Sequence, residues 1–229
     1  MATSGGTRAS ASSGSATKWV LIGVGLAMVA ALVLALALGG SDDTTDGSSD
    51  GASGVVSEVG AVEVGAVEVE GDALPMFQDP ANDPAVGLKA PTVRGRSFDG
   101  STVEIVPGDG RRHMLVFLAH WCPHCQAEVP RLVDWFESGS VPADLEIVGV
   151  STAVTADRPN HPPSAWLERE RWPWPVLTDS ADFDVAAAYG QGGFPFFMLI
   201  DEDGIVLGRF AGEIETEQLE AVLEAAFPA

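Results

Sequence analysis

The residues best equipped for chemistry crowd into six positions, His120-Trp121-Cys122-Pro123-His124-Cys125, which hold both cysteines of the chain. Two thiols with two residues between them stand one helical turn apart, close enough to form and open a bond with each other. They follow an apolar run over residues 114–119 and precede Val129, Leu132, Val133 and Phe136, which recur at helical spacing. Cys122 therefore falls at the start of a helix. Unpaired N–H groups and the positive end of the helix dipole stabilise a thiolate there. A protonated His124 would favour that thiolate further, and Pro123 suits a first helical turn. Cys125 joins the apolar stripe and should be the less exposed of the two. An attacking thiolate followed by a sheltered resolving thiol is what thiol–disulfide exchange requires, and the exchange needs no cofactor beyond the sulfurs. Glu128 lies three residues after Cys125, at the edge of the buried face. A partly buried carboxyl there would have a raised pKa and could take the proton of Cys125; the alternative is a solvated surface glutamate. Trp121 either shields the sulfurs or simply packs. His120, His113 and His161 read as packing or surface residues.

Three other uses of the cysteines compete. A structural staple closing so short a loop contributes only about 2 kcal/mol, less than a long loop would. A Cu(I) metallochaperone could ligate through Cys122, Cys125 and a histidine. A peroxidase would need a threonine three residues before the attacking cysteine, where Ala119 stands.

Composition narrows the field. Twelve Lys and Arg face 33 Asp and Glu, a net charge of −21, which argues against a nucleic-acid binder. Two cysteines exclude a disulfide-dense scaffold and an all-Cys zinc site. The first 18 residues are rich in Ser, Thr, Ala and Gly and carry Arg8 and Lys18 without an acid. From Trp19 to Leu38 there is no charge, and a helix of that length spans roughly 30 Å, the hydrocarbon thickness of a bilayer. Bases before the run and Asp42, Asp43, Asp46 and Asp50 after it place the N-terminus in the cytoplasm and the rest outside. The expectation is a single-pass anchor in the cell membrane; a cleaved signal peptide is the alternative. Residues 39–74 carry acids from Asp42 to Asp72, no base, and a repeated Gly-Ala-Val-Glu-Val. Glycines and like charges predict a disordered acidic linker, with an added edge strand as the alternative. Residues 75–229 are then one domain.

In that domain, strands are predicted over 102–106, 114–119, 145–150 and 174–177, with a hairpin over 196–200 and 205–210. Helices are predicted from Cys125, over 164–171 and 184–189, and from about Thr216, the last burying Leu219, Val222, Leu223, Ala226 and Phe227. Strands alternating with helices and closing on an antiparallel pair make an α/β fold with a mixed sheet.

Trp121-Cys-x-x-Cys125 after an apolar strand resembles the thioredoxin superfamily, in particular the exported, membrane-anchored TlpA/ResA-type proteins. Glu128 and Pro130 match that group's positions after the second cysteine. Gly87-x-x-Ala90-Pro91 with Asp99-Gly100 is similar to its N-terminal hairpin. Tyr189-Gly190, Gly193-Phe194-Pro195 and Leu199-Ile200-Asp201 with Gly204 are similar to its late motif. The resemblance implies a thioredoxin fold and an extracytoplasmic thiol–disulfide oxidoreductase. Its partners would be exported protein thiols or disulfides and a membrane redox protein that recycles the cysteines. It also implies that Pro195 is cis and holds the Phe194 backbone beside Cys122, where an extended substrate adds by main-chain bonds. Two positions depart from the pattern. Val116 stands where many thioredoxins carry a buried acid, and Phe194 where a small or polar residue is common. The Cys-Pro-His-Cys tetrad is the one found in DsbA-like oxidants, yet the chain between Cys125 and Pro195 has no room for their helical insertion.

Overall fold

The computed structural model describes residues 60–228. The expected cytoplasmic tail, membrane span and first part of the linker lie outside the described residues. Among those described, no helix is long and apolar enough to cross a membrane.

The strands are β1 (Glu68–Glu70), β2 (Thr92–Arg96), β3 (Thr102–Ile105), β4 (Arg112–Leu118), β5 (Leu145–Ser151), β6 (Val176–Thr178), β7 (Phe196–Ile200) and β8 (Val206–Ala211). The helices are α1 (Pro123–Glu137), α2 (Pro163–Arg169), α3 (Asp184–Ala188) and α4 (Thr216–Ala226). One mixed sheet runs β1-β2-β6-β5-β4-β7-β8, with β3 paired to β2. The continuous apolar run of β4 makes it the central strand. It lies parallel to β5, with Val116 opposite Gly149, and antiparallel to β7, with Val116 opposite Phe197.

Side chains of β4 alternate between two cores, as the two-residue period of a strand dictates. Met114, Val116 and Leu118 face the layer built with Cys125, Val129, Leu132, Trp166, Leu219 and Leu223. Leu115 and Phe117 face the opposite layer, with Val150, Tyr189, Phe196 and Met198. This is the expected α/β thioredoxin fold, a mixed sheet flanked by helices. In α1 the buried stripe is Cys125, Glu128, Leu132 and Trp135, with Val129 and Val133 beside it, whereas Phe136 is 46% exposed. The prediction put Phe136 inside. Trp135 takes that role because spacing three, four, three continues the stripe from Cys125, and its indole N–H donates to Glu220 at 3.1 Å. In α4, Leu219 and Leu223 are buried, while Val222, Ala226 and Phe227 pack at the rim.

The linker expectation is corrected for residues 60–74, which dock on the domain. Glu68–Glu70 adds to β2 as a strand, with Val69 opposite Val93. Like charge does not prevent this segment from pairing with β2 through its backbone, and two of its acids meet partners remote in sequence. Glu68 approaches Arg94 at 3.4 Å, and Glu63 accepts the Ser164 N–H at 3.1 Å near the start of α2. The Leu74 N–H donates to the Ala188 carbonyl at 2.8 Å. A hairpin of β2 and β3 around Asp99 and Gly100 places a further strand, Thr92–Arg96, that alternation alone did not reveal.

Gly190 needs its missing side chain. Its φ is +60°, and a Cβ there would collide with the Pro75 carbonyl. Close by, Arg209 and Asp83 form an ion pair with both side chains almost wholly buried. Arg209 also donates to the Pro75 and Tyr189 carbonyls at 3.0 and 2.8 Å. This knot ties the incoming segment to the back of the sheet.

Candidate active site

Strand β4 ends at Leu118, and the chain turns so that Cys122 becomes the N-cap of α1. The Cys122 N–H donates to the Ala119 carbonyl at 3.0 Å, and its carbonyl accepts the Gln126 N–H at 3.1 Å. No side chain caps the helix, so its first N–H groups are free to face the sulfur. Pro123 occupies the first turn, as expected. Cys122 is 5% exposed and Cys125 0%, both as free thiols. Burial pushes the Cys125 thiol well above its ordinary value, and the neighbouring Cys122 and Glu128 add to the shift. The order of exposure is the one the helical stripe predicted.

The turn before β7 meets the cysteines from across the sheet. The Phe194–Pro195 bond is cis, and the Phe194 carbonyl lies 3.9 Å from Cys122 Sγ. Pro195 is buried. The Trp121 ring stands edge-on to Phe194 at 6.0 Å, and its indole N–H donates to the Ala153 carbonyl at 2.8 Å. A groove of about 350 Å³ opens beside Phe194, lined by Met76, Ala153, Phe183, Ala187 and Gln191 among others. Met76 and Phe183 are 57% and 47% exposed, so the groove offers apolar surface to solvent beside Phe194.

Glu128 is fully buried, which resolves its two readings in favour of the sheltered carboxyl. One oxygen accepts from Arg131 at 2.6 Å and from the Ile214 N–H at 3.1 Å. The other, Oε1, has no hydrogen-bond partner. Burial raises its pKa, outweighing the Ile214 N–H and the Arg131 charge, which pull it down. Val116, in the place of the usual buried acid, is inside the same apolar layer as Cys125. Glu128 lies three residues after Cys125 on the same buried stripe of α1.

His124 follows Cys122 by two residues and lies near the start of α1. Its side chain is 67% exposed, and Nδ1 meets Glu213 Oε1 at 2.7 Å. That hydrogen bond holds Glu213 below its ordinary value. Nothing in the sequence around Glu213, Arg131 or Ile214 marked them as neighbours of the site. Sequence reasoning also missed the segment 152–163. Among the described residues no group of three or more His, Cys, Asp and Glu side chains could hold a metal ion, so the two sulfurs gain no third donor of the kind the Cu(I) reading called for.

A sequence profile described as Redoxin matches residues 85–226. The chain belongs to the Redoxin family. Similar curated proteins include the thiol-disulfide oxidoreductase ResA of Bacillus anthracis, 27% identical over 143 residues, covering 62% of this chain and 79% of that one. ResA of Geobacillus thermodenitrificans is 28% identical over 144 residues, covering 63% and 79%. Among solved structures, a thiol:disulfide interchange protein of the thioredoxin family from Chlorobium tepidum TLS superposes with a TM-score of 0.50 at 21% identity. It covers 61% of this chain and 96% of that one, which bears on the fold. The family, its ResA-type relatives and the paired cysteines make this Redoxin-family chain a thiol–disulfide oxidoreductase of the thioredoxin superfamily.

Proposed function

We propose that this Redoxin-family oxidoreductase works outside the cytoplasm, exchanging disulfides with exported proteins through Cys122 and Cys125. The observation that carries the reading is Cys122 at a helix N-terminus, 3.9 Å from the Phe194 carbonyl, with Cys125 sealed one turn behind it. In the reducing direction the Cys122 thiolate attacks one sulfur of a substrate disulfide, and the other substrate sulfur leaves as a thiolate. Cys125 then passes its proton to Glu128 and attacks Cys122. The Cys122–Cys125 bond forms and the second substrate sulfur leaves, so the protein is oxidised by two electrons and the substrate reduced. The oxidising direction is the same sequence reversed.

Phe194, held by the cis Pro195, supplies the main-chain edge on which an extended substrate adds, and the adjoining groove receives its apolar side chains. Trp121 walls the site, and Pro123 starts the helix that faces Cys122. Trp19 to Leu38 would anchor the chain with the catalytic domain outside, where a membrane redox protein recycles the cysteines.

Replacing Cys125 by alanine tests the roles. The Cys125→Ala chain should accumulate mixed disulfides at Cys122, seen on non-reducing gels and mapped by mass spectrometry. Trapping through Cys125 in Cys122→Ala would reverse the assignment. A redox titration gives the direction: near about −120 mV marks an oxidant, near about −270 mV a reductant. Labelling of introduced cysteines in intact cells tests the location, and protection of the catalytic domain would overturn it.

A further inference from the structure

We propose that His120 is a positioning residue, whose ring clamps the segment 153–160 against Trp121 and so sets the wall that Ala153 and Phe194 give the groove. The inference rests on Cys122 as the exchanging thiol. His120 is 1% exposed and immediately precedes Trp121. Its Nδ1 lies 2.7 Å from the Pro159 carbonyl, and its Nε2 lies 3.2 Å from the Thr155 backbone N. A carbonyl only accepts and an amide N–H only donates, so the proton sits on Nδ1 and Nε2 is bare. Both ring nitrogens are thus committed to one segment. The His120 carbonyl adds a third tie, accepting from the Asn160 side chain at 3.3 Å.

The clamped segment returns to the redox centre at two points. Ala153 accepts the Trp121 indole N–H at 2.8 Å, and the Arg158 guanidinium stands 4.8 Å from the indole ring centre. Trp121 in turn stands against Phe194, whose carbonyl faces Cys122. The segment contains no helix or strand, and Ala153 holds φ of 52°, a region that a residue with a plain Cβ enters reluctantly. Its shape therefore depends on anchors, and His120 supplies three of them.

A second proton on the ring would set Nε2–H against the Thr155 N–H and break that tie. The titratable groups facing the ring are His161, Arg158 and Glu63. Burial, His161 and Arg158 oppose the charged ring, while the Pro159 carbonyl and Glu63 favour it, and the balance holds His120 below its ordinary value. The clamp is closed at neutral pH and opens on acidification.

The test uses the purified full-length chain. His120→Phe keeps the ring and removes both nitrogens, and His120→Asn restores a donor for Pro159. Rates are read with a disulfide-bonded peptide and with hydroxyethyl disulfide, which is too small to need the groove. His120→Phe should lower kcat/KM for the peptide about fivefold or more, mainly through KM, the fold-change carried by a lost hydrogen bond. Hydroxyethyl disulfide should change by less than about twofold, and His120→Asn should recover part of the peptide rate. Equal losses on both substrates, or none, would overturn the inference. A wild-type chain inert toward both would instead sink the exchange reading itself. Should His120→Phe fail to fold, long-range ¹H–¹⁵N spectra of the wild type decide. They should show Nδ1–H at neutral pH, and a shift of the Trp121 indole N–H as His120 protonates. An Nε2–H tautomer, or an indole signal indifferent to that titration, refutes the clamp.

Discussion

Consider Glu128→Gln. Glutamine keeps the shape and can still accept from the Ile214 N–H, so the fold should survive. What it loses is the ionic form of the Arg131 contact, and because burial outweighs that contact at this carboxyl, the neutral isostere should leave stability near wild type. Arg131 retains Glu215 and Glu213 at 3.3 and 3.6 Å. The chemical consequence is larger. A thiol with an ordinary value near 8.5 is only about 3% thiolate at pH 7, and burial lowers that fraction further for Cys125. A positioned base must make up the difference, and general bases contribute about 10² to 10⁴ in rate. Taking the low end, resolution of the mixed disulfide should slow about 100-fold, while the first attack by Cys122 changes less than about twofold. Acid quenching of reduced protein mixed with a model disulfide, followed by mass spectrometry, separates the two steps. In the variant, resolution should climb about tenfold per pH unit between pH 6 and 8, because only solvent hydroxide removes the proton. In the wild type it should level off above the raised Glu128 value. Resolution in Glu128→Gln within about twofold of wild type, or equal slowing of both steps, would refute this proton path.

Asp83→Asn leaves Arg209 charged and buried, so it should cost about 3–5 kcal/mol, read as a lower urea midpoint with an unchanged slope. Gly190→Ala drives a Cβ into the Pro75 carbonyl at a left-handed φ. It should destabilise by more than about 1 kcal/mol and expose residues 72–79 to protease before the rest of the domain. Cys125 and Tyr189 are both pushed up by burial, so above about pH 9 the unfolded chain releases protons that the folded one keeps. Stability should therefore fall as pH rises from 9 to 11 in urea titrations, less steeply in Cys125→Ala.

How much of this was legible in the sequence depended on how far each contact reaches along the chain. Strand β4, the helix after Cys122 and the β7–β8 hairpin follow from local apolar period and turn residues, and each formed close to where it was expected. The Val–Glu alternation of residues 60–70 was ambiguous because its own charges repel. What decided it was the open edge of β2, with Glu63 held at Ser164 and Glu68 near Arg94 as folding brings them together. His124 stands two residues from Cys122 in sequence, and the partner of its ring, Glu213, comes from 89 residues on. The Ile214 N–H reaches Glu128 across 86 residues, and Ala153 reaches Trp121 across 32.

Sequence alone determined the chemistry: two thiols one turn apart at the mouth of a helix, because strand, turn and helix there are dictated by neighbouring residues. Only the tertiary structure decided that Glu128 is buried against the Ile214 N–H, that the Ala153 carbonyl receives the Trp121 indole and that Glu213 meets His124. Those partners come from separate elements, and nothing but the order in which strands stack in the sheet brings them to one end of it.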